Sequence, residues 1–332
     1  MTVLSGNWNN QHNVEEIDGI TYRSFPESFH RILLPMRYVA KFAGKTDLLV
    51  DNCDVGIPWL SPMYSRTPRI AIIHQLVREI FYDELPRPVS NLGFSLEPLM
   101  YRIYAGSRIV AASQSTARDL LSCGIEARNI DVIEPGCTNL GFPRSALTER
   151  SPMTVACVSR LMKYKGIQLA FGALRRIIDV SPNVRLVVGG SGPYHGQLLR
   201  LSNDLGLSKN VSFLGRVSDQ SKFKIYSENR VAISPSSREG FGISVIEANS
   251  VGTPVVGWDV PGSRDSILDG TTGFLAPFPD KTAFADRVSR LLTDDQAWNR
   301  LSESAWKWAR EHSWDKSARA FEETITRVLQ GS

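Results

Sequence analysis

Two carboxylates, Glu239 and Glu247, stand eight residues apart in the run Pro235-Ser-Ser-Arg-Glu-Gly-Phe-Gly-Ile-Ser-Val-Ile-Glu-Ala248. The run spans a loop and the start of a helix. Carboxylates so placed can accept hydrogen bonds from hydroxyl groups, such as those of a sugar and a ribose. Gly240 and Gly242 bracket Phe241 where the helix begins. The free N–H groups of a helix start can hold a diphosphate without a metal. A capping glutamate followed by a surface glutamate would give the same pattern, so this motif alone leaves both readings open.

Three further positions bear on the same chemistry. Ser159-Arg-Leu-Met-Lys-Tyr-Lys-Gly166 sets Arg160, Lys163 and Lys165 beside a helix start. Cations next to free backbone N–H groups suit a phosphate, although a solvated basic loop would look alike. Gly189-Gly-Ser-Gly192 lets a ligand approach the backbone at Gly190. It is not a dinucleotide fingerprint, because His195 stands where the third glycine would be needed. A plain tight turn accounts for it equally. His74 follows the apolar run Ile70–Ile73. A histidine at the carboxyl end of a strand can position a substrate, and a lone histidine is more often structural.

These loops need elements to hold them. Thr154–Val158 is a short apolar run suited to a buried strand. Helical spacing follows from Gly166 to Ile178, with Ile167, Ala170, Leu174, Ile177 and Ile178 on one face. Val184–Val188, Val211–Leu214, Val231–Ile233 and Pro254–Val256 read as further strands. They alternate with helices at His195–Leu205, Gln220–Glu228 and Gly242–Ser250. In the first half, strands are expected at Leu48–Val50, Ile70–Ile73, Ile109–Ala112 and Ile130–Ile133. Helices are expected at Ser28–Ala43, Leu92–Tyr104 and Thr116–Ser122, and from Lys281 to Leu329 throughout. Short buried strands alternating with helices predict an α/β fold with parallel sheets covered on both faces. The polar, turn-rich stretch Thr138–Pro152 reads as a linker between two domains. Ligands of such sheets bind outside the carboxyl ends of the strands, where the candidate loops lie.

Composition narrows the alternatives. The chain has 332 residues, 42% hydrophobic and 22% charged, enough for about two domains with sizeable cores. These values exclude a disordered, collagen-like or small disulfide-stapled protein. No apolar run reaches the ~18–20 residues of a membrane span, and the first ten residues do not read as a signal peptide. A net charge of +4, with no dense basic patch, gives little reason to expect a nucleic-acid partner. Cys53, Cys123, Cys137 and Cys157 form no C-x-x-C pair, which suits a reduced, cytoplasmic setting. His12, His30, His74, His195 and His312 show no metal-ligand spacing, so no metal is expected.

Taken together, the loops resemble those of the retaining GT-B glycosyltransferases, specifically glycosyltransferase family 4, the glycosyl transferases group 1. Glu239 and Glu247 match the family's E-x7-E motif, and Gly252-Thr-Pro-Val-Val256 follows as is typical. Arg160 and Lys165 match its Arg-plus-Lys pair. The turn Gly189–Gly192 and the run Phe213-Leu-Gly-Arg-Val217 fall at the expected spacings, and His74 sits at the family's cleft histidine. Val110–Thr116 and Ser313-Trp-Asp315 resemble further family segments. The resemblance implies two Rossmann-like domains facing a cleft. Residues 1–140 would form the acceptor domain, 141–152 the linker, 153–312 the nucleotide-sugar domain and 313–332 a helix returning to the first domain. It implies a sugar transfer from a UDP- or GDP-linked donor to a saccharide or lipid-linked acceptor in surface polysaccharide, glycolipid or glycoconjugate assembly. No cofactor or metal is implied. Arg160 and Lys165 would neutralise the donor diphosphate, and Glu247 would bind the ribose. Glu239 and His74 would contact the donor sugar. Phe241, Gly242 and Ile243 would meet sugar and phosphate through their backbone, and Arg216 and Val217 would hold the base.

The match is uneven at the start. The family normally has a strand, a glycine-rich loop and a helix before the segment that Met1-Thr-Val-Leu4 resembles, so an acceptor domain lacking its first strand–helix unit is expected. Ile133-Glu-Pro-Gly-Cys137 also differs from the family's usual Ile-Pro-Asn-Gly-Val. Two rivals stay open: a silent nucleotide-sugar-binding subunit that needs a partner, and another GT-B enzyme such as a sugar-nucleotide epimerase. In the expected helix Ser28–Lys45, Arg31, Arg37, Lys41 and Lys45 cluster on one side at ~100° per residue. That face could rest on an anionic bilayer at the inner membrane surface. A helix packed on the sheet with a solvated basic face is the plainer reading.

Overall fold

Alternating apolar residues decide the architecture. In a computed structural model, residues 1–7, 14–26, 36–37, 39–41, 45–53, 58–138, 143 and 150–331 are described. The first strands, β1 (Thr2–Asn7), β2 (Val14–Ile17) and β3 (Ile20–Pro26), form a small sheet of their own. In it β3 lies between β1, which is parallel to it, and β2, which is antiparallel. None of the three was expected from the sequence. Next come β4 (Leu49–Cys53), β5 (Arg69–Ile73), β6 (Arg108–Ala111) and β7 (Ile130–Val132). These four pair in chain order, all parallel. Helices α1 (Ile80–Glu84), α2 (Arg87–Arg102) and α3 (Gln114–Ser122) connect them. Tyr101, Tyr104 and Leu120 pack with Ala71, Ile73, Ile109 and Ala111 in one core.

The second half builds a six-stranded parallel sheet from β8 (Ser151–Val158), β9 (Arg185–Gly189), β10 (Val211–Phe213), β11 (Asn229–Ser234), β12 (Val255–Trp258) and β13 (Gly273–Ala276). The strand order is β10-β9-β8-β11-β12-β13. Side chains alternate across it as the strand period requires. Val155, Cys157, Leu186, Val188, Val231 and Ile233 join one core, and Ala156, Val187 and Ala232 the other. The first face is covered by α4 (Ile167–Val180), α5 (His195–Asp204) and α9 (Lys281–Thr293). The opposite face is covered by α6 (Asp219–Glu228), α7 (Ile243–Ser250) and α10 (Asp295–Arg310). The short α8 (Ser263–Ser266) follows β12. The five residues expected on the inner face of α4 are all buried.

Several expectations need correction. The helix expected from Leu92 starts at Arg87, because Pro88 stands in its first turn, where proline costs no hydrogen bond. The continuous helix expected from Lys281 is three helices. Asp294 caps α10 by accepting from the Ala297 N–H, and Ser313 caps α11 (Trp314–Gln330) by accepting from the Lys316 N–H. Both capping residues are extended and cannot continue a helix. β13, α1 and α8 were not expected, since each is short and carries little periodicity. β8 begins inside the expected linker, whose residues 141–142 and 144–149 lie outside the described residues. So does most of the expected helix Ser28–Ala43, Arg31 included, although 36–37 and 39–41 are helical and Arg37, Lys41 and Lys45 of the expected basic face are exposed. Helix α11 does return to the first half. Ser317 Oγ donates to the Glu134 carbonyl at 2.6 Å, and Thr324 Oγ1 to Asp131 at 3.0 Å. Among the described residues no helix is long and apolar enough to cross a membrane.

Candidate active site

Strand order locates the site. The chain runs outward from β8 to β9 and β10, then returns to the other side of β8 at β11. Such a reversal opens a crevice at the carboxyl ends of the two central strands. The loop after β8 carries Arg160 and Lys165, and the loop after β11 carries Glu239 to Gly242. The first half supplies the facing wall with His74 after β5, Ala112 after β6 and Pro135 after β7. Between them lies a cleft of about 290 Å³, lined also by Tyr164, Phe241, Ile243 and Ser244. The structure therefore gathers His74, Arg160, Lys165, Glu239, Phe241, Gly242 and Ile243 in one place.

Lys165 and Glu239 form the charged centre. The Lys165 ammonium donates to both Glu239 oxygens, at 2.7 and 2.9 Å, with the side chains only 13% and 11% exposed. Burial opposes the lysine's charge, but the Glu239 carboxylate outweighs it and holds the ammonium above the usual lysine range. Ser236 Oγ donates to Glu239 as well, at 2.5 Å. Arg160 sits more openly at the mouth, with Nη2 donating to the Tyr164 hydroxyl at 3.2 Å. Helix α7 starts at Gly242, whose φ of +90° suits glycine and which supplies no side-chain cap. The Val245 N–H donates to the Gly242 carbonyl at 2.9 Å, and the N–H groups of Ile243 and Ser244, at the cleft wall, lie ahead of the helix's own hydrogen bonds and suit an anion.

The remaining expected residues lie to one side of this cavity. Glu247 is on the second turn of α7, with Oε1 accepting from the Lys222 ammonium at 2.5 Å. Burial pushes its carboxyl above the usual range, and Lys222 pulls it part of the way back. Gly190 follows β9 and donates its N–H to the Gly215 carbonyl at 2.7 Å. Arg216 is exposed, while Val217 packs on the core of the α6–α7 face. Gly190, Arg216, Val217 and Glu247 are absent from the cavity wall: Gly190 follows β9, Arg216 and Val217 lie between β10 and α6, and Glu247 lies on α7.

His74 and the motif loop meet directly. A Cβ on Gly240 would lie 2.4 Å from the His74 carbonyl oxygen, so only glycine fits there. The Thr116 hydroxyl donates to that same carbonyl at 3.1 Å, and the His74 ring Nε2 lies 2.7 Å from Asn52 Oδ1. Sequence reasoning missed the groups that fasten the two halves around the cleft. Arg238 is buried and ion-paired across it to Glu79 at 2.7 Å and to Asp119. Glu84 accepts from the Tyr164 N–H at 3.0 Å, Asp83 from the Ser237 hydroxyl at 3.0 Å, and Asp265 from the Ser115 N–H at 3.0 Å. Arg238 adjoins Glu239 in the quoted motif, a signal that was available. Its partners are too distant in sequence to have been found.

Comparison with known proteins fits this geometry. The sequence matches the family described as glycosyl transferases group 1 over residues 143–308, half of the chain. It is 29% identical over 282 residues to a D-inositol 3-phosphate glycosyltransferase of Corynebacterium glutamicum, covering 79% of this chain and 67% of that protein. Across seven curated relatives of that name the match spans 40–67% of their length. Among solved structures, a sucrose-phosphate synthase from Thermosynechococcus elongatus is similar with a TM-score of 0.82 at 19% identity, covering 100% of this chain and 89% of that one. HepE of Anabaena, solved with UDP and glucose, has a TM-score of 0.76 at 18% identity, covering 93% and 86%. At such identities the structures speak for the fold, which is GT-B.

Proposed function

The chain belongs to the glycosyl transferases group 1 family, and from that premise we propose that it moves a sugar from a nucleoside-diphosphate sugar to an acceptor hydroxyl, with retention of configuration. The observation that carries this reading is the meeting of Arg160, Lys165, Glu239 and the start of α7 in one cleft opposite His74. A departing diphosphate gains negative charge as its bond to the sugar breaks. Fixed cations and helix-start N–H groups lower the barrier by stabilising that charge. In this reading Arg160, Lys165 and the α7 start take the diphosphate without a resident metal. Lys165 keeps one N–H on Glu239 and turns another to a phosphate oxygen, which its three donors allow. Glu239 accepts from donor-sugar hydroxyls, and His74 lies at the reacting carbon. Gly190, Arg216, Val217 and Glu247 hold the nucleoside beside the cleft. The acceptor oxygen bonds to the anomeric carbon on the face that the phosphate leaves, and the departing phosphate takes the acceptor's proton.

Residues 1–140 serve the acceptor and 153–312 the donor in this proposal. Relatives named as D-inositol 3-phosphate glycosyltransferases, and HepE solved with UDP, favour a nucleotide sugar such as a UDP-linked hexose. Surface polysaccharide, glycolipid or glycoconjugate assembly is the proposed setting. The test is a thermal-shift and product-formation panel of UDP, GDP and ADP with their common sugars. One nucleotide should raise the Tm, and its sugar should be transferred with the anomeric configuration kept. Lys165→Ala should abolish transfer. Nucleotide binding without transfer by the wild type would favour the silent subunit, and inversion of configuration would overturn the mechanism.

A further inference from the structure

Lys222 belongs to none of the motif loops, yet its ammonium ends beside one of their two carboxylates. Nζ lies 2.5 Å from Glu247 Oε1 and 3.2 Å from Asp219 Oδ1. The Lys222 and Glu247 side chains are 16% and 13% exposed, whereas Asp219 is 90% exposed and well hydrated. The pair with Glu247 is therefore the largely desolvated one. Its position is also particular. Helix α6 opens directly after Arg216 and Val217, with Ser218 as its cap, and Lys222 stands one turn into it. Glu247 stands one turn into α7, the helix that opens at the cleft. The ion pair thus joins the loop proposed for the base to the helix proposed for the ribose and phosphates.

We propose that Lys222 is a positioning residue of the nucleotide site, fixing Oε1 of Glu247 so that Oε2 is presented to the ribose hydroxyls of a nucleoside diphosphate. This inference rests on the donor-site reading above. Two physical reasons support it. Among the described residues the hydrogen bond to Glu247 goes to Oε1, which leaves Oε2 for a ligand. A carboxylate beside an incoming diphosphate also repels it, and a lysine held against that carboxylate cancels the repulsion. Burial pushes the Glu247 carboxyl above its usual range, and the Lys222 ammonium acts against that shift.

The experiment is calorimetric titration of the full chain and its variants with UDP, GDP and ADP, with the unliganded Tm of each recorded. Lys222→Met should weaken the preferred nucleotide roughly tenfold or more, as loss of a charge-assisted bond that orders the acceptor would do. Lys222→Arg should restore most of the affinity. Turnover at saturating donor should change little in both, so that the loss appears in KM. Lys222→Leu removes the same donor and charge and serves if the methionine variant does not fold. Wild-type affinity in Lys222→Met or Lys222→Leu, with or without a lower Tm, makes the pair a plain tie between α6 and α7 and overturns the proposal. No nucleotide binding by the wild type overturns the donor-site reading itself, and this role of Lys222 falls with it.

Discussion

Lys165 and Glu239 each lose most of their water on folding, and each compensates the other. Removing one partner leaves a buried charge alone, which is costlier than removing both. Lys165→Met is expected to lower stability by about 3 kcal/mol in a denaturant titration. Adding Glu239→Gln should return most of that stability while transfer stays absent. If the double variant stays as unstable as the single one, the pair is not the source of the loss. At this scale the sequence was legible where a residue's meaning is local. Arg160, Lys165, Glu239 and Phe241 to Ile243 lie in two contiguous loops, and both loops face the cleft. Lys222 and Arg238 were not legible as site-builders, because their partners stand 25 and 119 residues away. A lysine on a polar helix looks the same whether it meets solvent or a carboxylate.

Elements carry a second layer of organisation. Helix α2 turns Glu97 inward, where its carboxylate accepts the Val77 and Arg78 N–H groups at 2.5 and 2.8 Å. Burial pushes that carboxyl above the usual range, and the two backbone N–H groups act against it. The bond fastens α2 to the segment that leads from His74 to α1. Glu97→Ala strands both N–H groups and should cost about 2–3 kcal/mol, read as a lower Tm. Arg238 works between elements. It holds the motif loop against Glu79 beside α1 and against Asp119 of α3, so it bears on how the two halves close. Arg238→Met should leave nucleotide affinity within about threefold and reduce turnover roughly tenfold, since closure assembles a site that the donor half can bind to without it. Equal losses in affinity and turnover would place Arg238 in the nucleotide site instead. The strands and helices of the second half were readable because they are buried on both faces and strongly periodic. The small N-terminal sheet was not, since its strands are largely exposed and their residues alternate weakly.

At the scale of the whole molecule, Asp131 is the joint between the first sheet and α11. Burial alone would raise its pKa, but hydrogen bonds from Arg108 and Thr324 and the charges of Arg108 and Arg327 lower it below the usual value. An acid whose folded pKa is depressed adds stability above its unfolded pKa of about 3.9, and loses it as the pH falls through the folded value. The wild type should therefore lose Tm below about pH 4 more steeply than Asp131→Asn, and the two curves should converge in acid. Parallel curves would remove Asp131 from the account. The reach of α11 was expected from Ser313-Trp-Asp315, but its polar anchor was not, because Asp131, Thr324 and Arg327 meet only in the fold.

That returning helix makes the boundary in the sequence different from the boundary in space. The polypeptide passes between the sheets ahead of β8 and passes back where the Cys137 N–H donates to the His312 carbonyl at 2.9 Å. A gene divided between codons 138 and 150 would therefore not encode two independent bodies. The first fragment would leave the surface around Glu134 and Asp131 uncovered, and the second would end in a helix whose inner face has nothing to rest on. The fragments should recognise each other through that helix. Co-expressed, they should purify as a one-to-one pair when only one bears a tag, and removing residues 314–332 from the second should sharply weaken the pairing.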